Sequence, residues 1–304
     1  MNDGSARRAV FERAMEEARR PSGLMLGTLV AILVTAAVFG VGRLLRLVET
    51  PELLADGGIV ALTPAFLVVW LLLWLWLRFK EQRAFAGIGF RERRHAGSRA
   101  VRGAGIALAQ MGVYLAVGVA TGSLVFAADA AGGVIRWSSL GWVAVALAAF
   151  AVQSGAEEIV ARGYLVQLWW RRTGLLGAIV VSAVFFTAEH AVTGDLAPLP
   201  TLDMTLYSVL AVLWVLTERS LWGVIGYHAV WNWAQGSLFG VSVSGTDVPN
   251  SLFVVNTTPG SSDLLTGGDY GAEGSLVDIA VLLALIAGAV VAYRRSRSSS
   301  SNSA

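Results

Sequence analysis

An all-α, polytopic transmembrane helical bundle of about eight spans, with both termini cytosolic, is the fold predicted by three features of this chain. Hydrophobic residues make up 55% of the 304 and charged residues only 14%, against about 25% charged in ordinary soluble domains. Apolar stretches of about twenty residues recur from one end to the other, the length a helix needs to cross about 30 Å of hydrocarbon. Lysine and arginine gather in alternate connections, the pattern left by membrane insertion.

The first span covers residues 22–41. It is too long for a signal-peptide core and lacks a small-residue cleavage site after it, so it reads as an anchor. Spans two and three cover 58–77 and 104–126. The fourth covers 140–170 and, at about 46 Å, exceeds the hydrocarbon thickness. It must tilt, protrude or break near Gly163, and a break would leave residues 164–172, with Trp169 and Trp170, at headgroup level. Residues 174–192 form the fifth span and bring the chain to Asp195, followed by 202–216, 221–239 and 275–293. The connection 241–274 is rich in Gly, Ser, Thr, Asn and Asp and reads as an irregular extracytoplasmic loop over the mouth of the seventh helix. Residues 296–304 form a polar tail. The chain thus divides into a cytosolic segment 1–21, three helices and their loops over 22–139, a core over 140–240, the loop 241–274, and a last helix with its basic tail over 275–304.

With the N-terminus in the cytosol, nineteen of the 23 basic residues fall inside. Only Arg43, Arg46 and Arg136 fall outside, and Arg162 lies within a span. The pI near 9.2 therefore expresses topology rather than nucleic-acid binding. The absence of cysteine excludes disulfides and thiolate metal sites. No internal repeat of the kind that builds many transporters is visible.

Acidic groups near the centre of a membrane helix cost roughly 2.5–3.5 kcal/mol each, so the adjacent Glu157 and Glu158, with Arg162 one turn on, mark a candidate site. Two of the three histidines, His190 and His228, also lie inside spans, and Asn232 shares a helix face with His228. The third, His95, sits among loop arginines and reads as solvated. All of the strongly polar mid-span groups fall on the fourth, fifth and seventh spans. Measured from the basic helix ends at about 1.5 Å per residue, they reach one layer, and polar groups in hydrocarbon must find one another.

Glu157-Glu158 with Arg162, Phe186 with His190, and His228 with Asn232 resemble, in order, the Glu-Glu-x-x-x-Arg, Phe-x-x-x-His and His-x-x-x-Asn motifs of the CPBP (Abi) family of CAAX-processing and bacteriocin-processing intramembrane proteases. The resemblance covers residues 140–240. It implies an endopeptidase, glutamate- or metal-dependent, acting on a membrane-associated or peptide substrate, in the plasma membrane if the source is prokaryotic. The implied site residues are Glu157, Glu158, Arg162, His190, His228 and Asn232. Hydrolysis needs an activated water, a stabilised oxyanion and a protonated leaving amine. We expect Glu157 to act as general base with His190 orienting the water, His228 and Asn232 to face the oxyanion, and Glu158 with Arg162 to support them.

No cofactor is certain. Glu157, His190 and His228 together could hold Zn²⁺ with one position left for water, whereas Asn232 suits an oxyanion donor and favours a metal-free site. Glu189 lies outside the motifs and is expected at the outer end of the fifth helix among headgroups. Trp231 and Trp233 flank Asn232 and are candidates for lining a substrate groove. Membrane lipid and a peptide or protein substrate are the expected partners, with no nucleic acid. A proton-coupled transporter, or a non-catalytic scaffold or immunity protein built on the same buried polar cluster, is the alternative reading.

Overall fold

In a computed structural model the described residues are 11, 14–48, 51–128, 133–192 and 197–301. Asp195 and most of the N-terminal segment lie outside them, as does the extreme C-terminus. Among the described residues, eight α-helices longer than one turn run in order: α1 Leu24–Val48, α2 Pro51–Leu75, α3 Ala96–Ala120, α4 Leu140–Glu158, α5 Val166–Ala191, α6 Pro198–Glu218, α7 Trp222–Trp233 and α8 Leu276–Ser301. Six helical stretches among the described residues are long and apolar enough to cross a membrane, one of them the 55-residue run Trp137–Ala191 that joins α4 to α5. α1 turns Leu26, Leu29, Ile32 and Leu33 outward, as a lipid-facing helix should.

Several boundaries differ from those read in the sequence. α3 starts earlier, at Ala96, and ends at Ala120. Gly122 adopts a positive φ of 71°, which turns the chain into strand β1 (Leu124–Ala127) instead of a further helical turn to Phe126. β1 pairs antiparallel with β2 (Val254–Thr257), Leu124 opposite Thr257. The long fourth span does not break at Gly163. It passes through a π-helical turn, Ile159–Leu165, and bends instead at Gly174, whose φ of 68° and ψ of −158° are non-helical. Gly163 packs against Ile88, where a Cβ would lie 3.0 Å from the backbone oxygen. Tyr164, Leu165 and Leu168 are consequently buried rather than spread along the headgroups.

α7 is the central helix, and glycine sets how close α3 comes to it. A Cβ on Gly103 would stand 2.1 Å from the Gly223 carbonyl oxygen, and one on Gly226 would stand 2.3 Å from that of Ala100. Backbones this close are the small-residue packing by which membrane helices associate where hydrophobicity supplies no drive. The connection 241–274 is not a solvated strip. Glu273 holds it down, accepting from Trp231 Nε1 at 3.0 Å and from the Ser244 backbone and hydroxyl at 3.0 and 2.7 Å.

Candidate active site

Glu157 and Glu158 end α4 where its hydrogen bonding widens into the π turn, a local geometry frequent at functional sites. Glu158 is fully buried, and its Oε1 accepts from three donors: Arg162 Nη1 at 3.1 Å, Tyr207 Oη at 2.8 Å and His228 Nδ1 at 2.9 Å. Arg162 is equally buried. Its Nη2 donates to Ser208 Oγ at 3.1 Å, and its guanidinium lies 4.3 Å from the Phe186 ring centre and 4.8 Å from that of Tyr207. A buried ion pair is tolerated when further hydrogen bonds and ring faces replace the lost water, and α6 supplies them through Tyr207 and Ser208.

Glu157 stands differently. Its side chain is 11% exposed, and Gln153 Nε2 donates to Oε1 at 2.7 Å. Gln153 Oε1 in turn accepts from Asn232 Nδ2 at 3.2 Å, linking α4 to α7. The second oxygen, Oε2, is enclosed without a hydrogen-bond partner and lies 3.8 Å from His228 Nε2. His228 therefore sits between the two glutamates, with Nδ1 toward Glu158 and Nε2 toward Glu157. Glu158 Oε2 is enclosed in the same way, and such acceptors, unusual in a folded protein, mark the pair as a candidate site.

His190 is half-buried, with Nδ1 2.9 Å from the Phe186 carbonyl oxygen and its ring 4.6 Å from that of Phe186. Phe186 also meets His228 edge-on at 5.9 Å and so spaces the two histidines. His190, His228, Asn232, Tyr207, Trp231 and Asp203 are among the residues that wall one cavity of about 30 Å³, room for one or two waters. Trp231 lines it, whereas Trp233 turns away and donates to the Val143 carbonyl of α4 at 2.8 Å. His95 lies exposed, 3.6 Å from Glu92.

Glu189 stands in the last turn of α5. It is half-buried, hydrogen-bonded to Thr35 of α1, with Oε2 enclosed, and it stands close enough to Glu157 to feel its charge. The helix turn that brings His190 to the cavity leaves its neighbour facing α1 rather than water.

The metal reading finds no ligand cage: among the described residues no three His, Asp or Glu side chains are grouped to hold an ion. Both ring nitrogens of His228 face glutamates. The Glu157, His190 and His228 set does not fit a zinc site as arranged, and no step is assigned to a metal.

Gln153, Tyr207 and Ser208 escaped the sequence reading. Gln153 carried a signal, its i to i+4 spacing from Glu157. Tyr207 and Ser208 carried none, since α6 has no motif. Three further acids, Asp203, Glu273 and Asp278, also reach the cavity.

Residues 138–234, from the turn before α4 into the π turn that ends α7, match the family model described as Type II CAAX prenyl endopeptidase Rce1-like. This segment is Rce1-like. The match meets the family resemblance read from the three motifs, and the Rce1-like segment contains Glu157, Glu158, Arg162, His190, His228 and Asn232. No curated protein and no solved structure matches the chain. Helices α1–α3 and α8 lie outside the matched segment, as do Glu273 and Asp278 of the cavity wall.

Proposed function

We propose that the protein is an intramembrane endopeptidase that hydrolyses a peptide bond of a membrane-associated or peptide substrate with glutamate-activated water. The observation that carries this reading is His228 lodged between a fully buried Glu158, whose Oε1 takes three donors, and a slightly exposed Glu157, whose Oε1 takes one from Gln153. In this reading Glu157 accepts the proton of the attacking water and later delivers it to the leaving amine.

Glu158 fixes the His228 ring. A carboxylate can only accept, so Nδ1 carries the hydrogen in that bond. Neutral His228 then presents an unprotonated Nε2 to the Glu157 side, and it becomes a two-fold donor once it takes up a proton. Asn232 spends one amide hydrogen on Gln153 and keeps a second for an oxyanion forming in the cavity. His190, on the same cavity wall, orients the water. Arg162, Tyr207 and Ser208 act through Glu158 as positioning residues.

The test is hydrolysis of membrane-reconstituted test polypeptides, a prenylated CAAX peptide and an unmodified leader-like peptide, by the wild type and Glu157→Gln. Cleavage by the wild type that falls by at least about 10²-fold in the variant supports the reading. Cleavage that Glu157→Gln leaves intact overturns it.

A further inference from the structure

A second cavity, of about 520 Å³, lies at the far end of α2, away from the site above. Arg19, Arg78, Phe79, Gln82, Arg83 and Ala84 line it. Three of the six are arginines and none is acidic. Its position is where the hydrophobic span Gly58–Glu81 ends. There Trp74 and Phe79 are exposed, and Lys80 Nζ stands 5.3 Å from the Trp76 ring. Aromatic side chains beside cations mark the headgroup level of a bilayer.

The arginine at the back is held rigidly. The chain turns at Gln82 through a left-handed conformation with φ 55°, which swings Arg83 inward. Arg83 Nε donates to Glu81 Oε2 at 2.6 Å and Nη1 to Gln167 Oε1 at 2.9 Å. The remaining nitrogen, Nη2, is buried without a hydrogen-bond partner. The neighbouring Glu81 carboxylate is already engaged, because its other oxygen accepts from Ser22 and from Tyr164 Oη, and Glu17, which also feels the Arg83 charge, is paired with Arg91. Arg19 and Arg78 are exposed at the rim. With Arg83 fixed in the wall and two long, adjustable cations at the rim, the cavity presents a cluster of guanidinium charge suited to a compact oxyanion with several acceptor oxygens. Basic pockets of this kind at helix ends receive lipid phosphates.

We propose that this cavity binds a phosphate group, whether carried by the headgroup of an anionic phospholipid or free in solution. The inference is independent of the proposed hydrolysis.

Thermal unfolding of the full chain in phosphatidylcholine nanodiscs, with and without phosphatidylglycerol, tests it. Adding phosphatidylglycerol is expected to raise the melting temperature by about 4 °C or more. The double variant Arg19→Gln/Arg78→Gln should lose most of that increment. Arg93→Gln/Arg94→Gln, which removes the same charge from an exposed loop, should keep it. Ala84→Glu, which adds a carboxylate to the cavity wall, should lose it as well and serves if the double variant misfolds. Inorganic phosphate added to phosphatidylcholine nanodiscs separates the sources: an increment sensitive to Arg19 and Arg78 identifies a free-phosphate site, and its absence beside a phosphatidylglycerol effect identifies the lipid. Equal increments in the wild type and both double variants would overturn the proposal in favour of diffuse surface attraction, as would no increment from either probe.

Discussion

Glu158 and His228 stand 70 positions apart in the chain and meet at 2.9 Å through Oε1 and Nδ1. That contact separates two chemically identical neighbours. Glu158, with Arg162, Tyr207 and His228 all donating to one oxygen, is held as a structural anion. Glu157, one residue earlier, takes a donor from Gln153 on Oε1, and the Oε2 of each glutamate is enclosed without a donor. Successive helix positions diverge by about 100°, so one carboxylate faces the α6 side and the other faces α7.

The two glutamates should therefore fail in different ways. Glu157→Gln is expected to abolish hydrolysis while leaving the melting temperature near the wild-type value. Glu158→Gln leaves Arg162 buried without its counter-charge, which typically costs about 3–5 kcal/mol, so it should lose activity and stability together. Melting curves of both variants in one detergent would decide, and equal melting temperatures would contradict the division.

The spans and the polar residues inside them were legible because hydrocarbon imposes a simple rule: long apolar runs cross, and a charge within one needs a partner. Glu158 and Arg162 even announced their contact by i to i+4 spacing. Other features depended on where distant helices meet. Nothing local to Tyr207 or Ser208 says that α6 packs beside Arg162. Nothing along its own helix signals that Glu189 meets Thr35 on α1. The early end of α3 was readable in Thr121-Gly122-Ser123, a turn signal that averaging hydrophobicity over a whole span conceals.

Close helix contact should be the chain's weak point for small-to-larger substitution. At Gly226 a methyl would meet the Ala100 carbonyl oxygen at 2.3 Å, and backbone cannot move aside as a flexible side chain can. Gly226→Ala is expected to cost about 1–3 kcal/mol. Gly112→Ala on α3, where nothing lies within 4 Å, should be neutral or stabilising by up to about 1 kcal/mol. Denaturation of both variants in matched micelles measures the contrast, and equal stabilities would refute the packing account.

Outside the membrane, Glu17 and Arg91 form a two-pronged ion pair, with Arg91 Nη1 2.7 Å from Glu17 Oε1. The Arg91 hydrogen bond holds the Glu17 carboxyl below the usual carboxylate range. A depressed folded pKa contributes stability that is complete above the unfolded value of about 4.3 and is lost as pH falls through the folded one. The melting-temperature difference between wild type and Glu17→Gln should accordingly be flat near neutrality and shrink below about pH 4. Because the Glu17 side chain is 44% exposed, the difference should be small and fall with added salt. A difference that grows on acidification would reverse the assigned sign.

Gln153 offers the sharpest test of how the site is held together. Its amide touches both Glu157, at 2.7 Å, and Asn232, at 3.2 Å, so it ties the proposed base to the proposed oxyanion donor. Gln153→Leu keeps much of the volume and removes both bonds. Freed from Gln153, Asn232 loses its orientation, and kcat should fall by up to the loss of one oxyanion donor, about 10²–10³-fold. KM and melting temperature should change little. Gln153→Asn retains the chemistry on a shorter stem and should fall between the two. A Gln153→Leu enzyme with full kcat would detach Asn232 from the reaction and leave Glu157 and His228 to carry it.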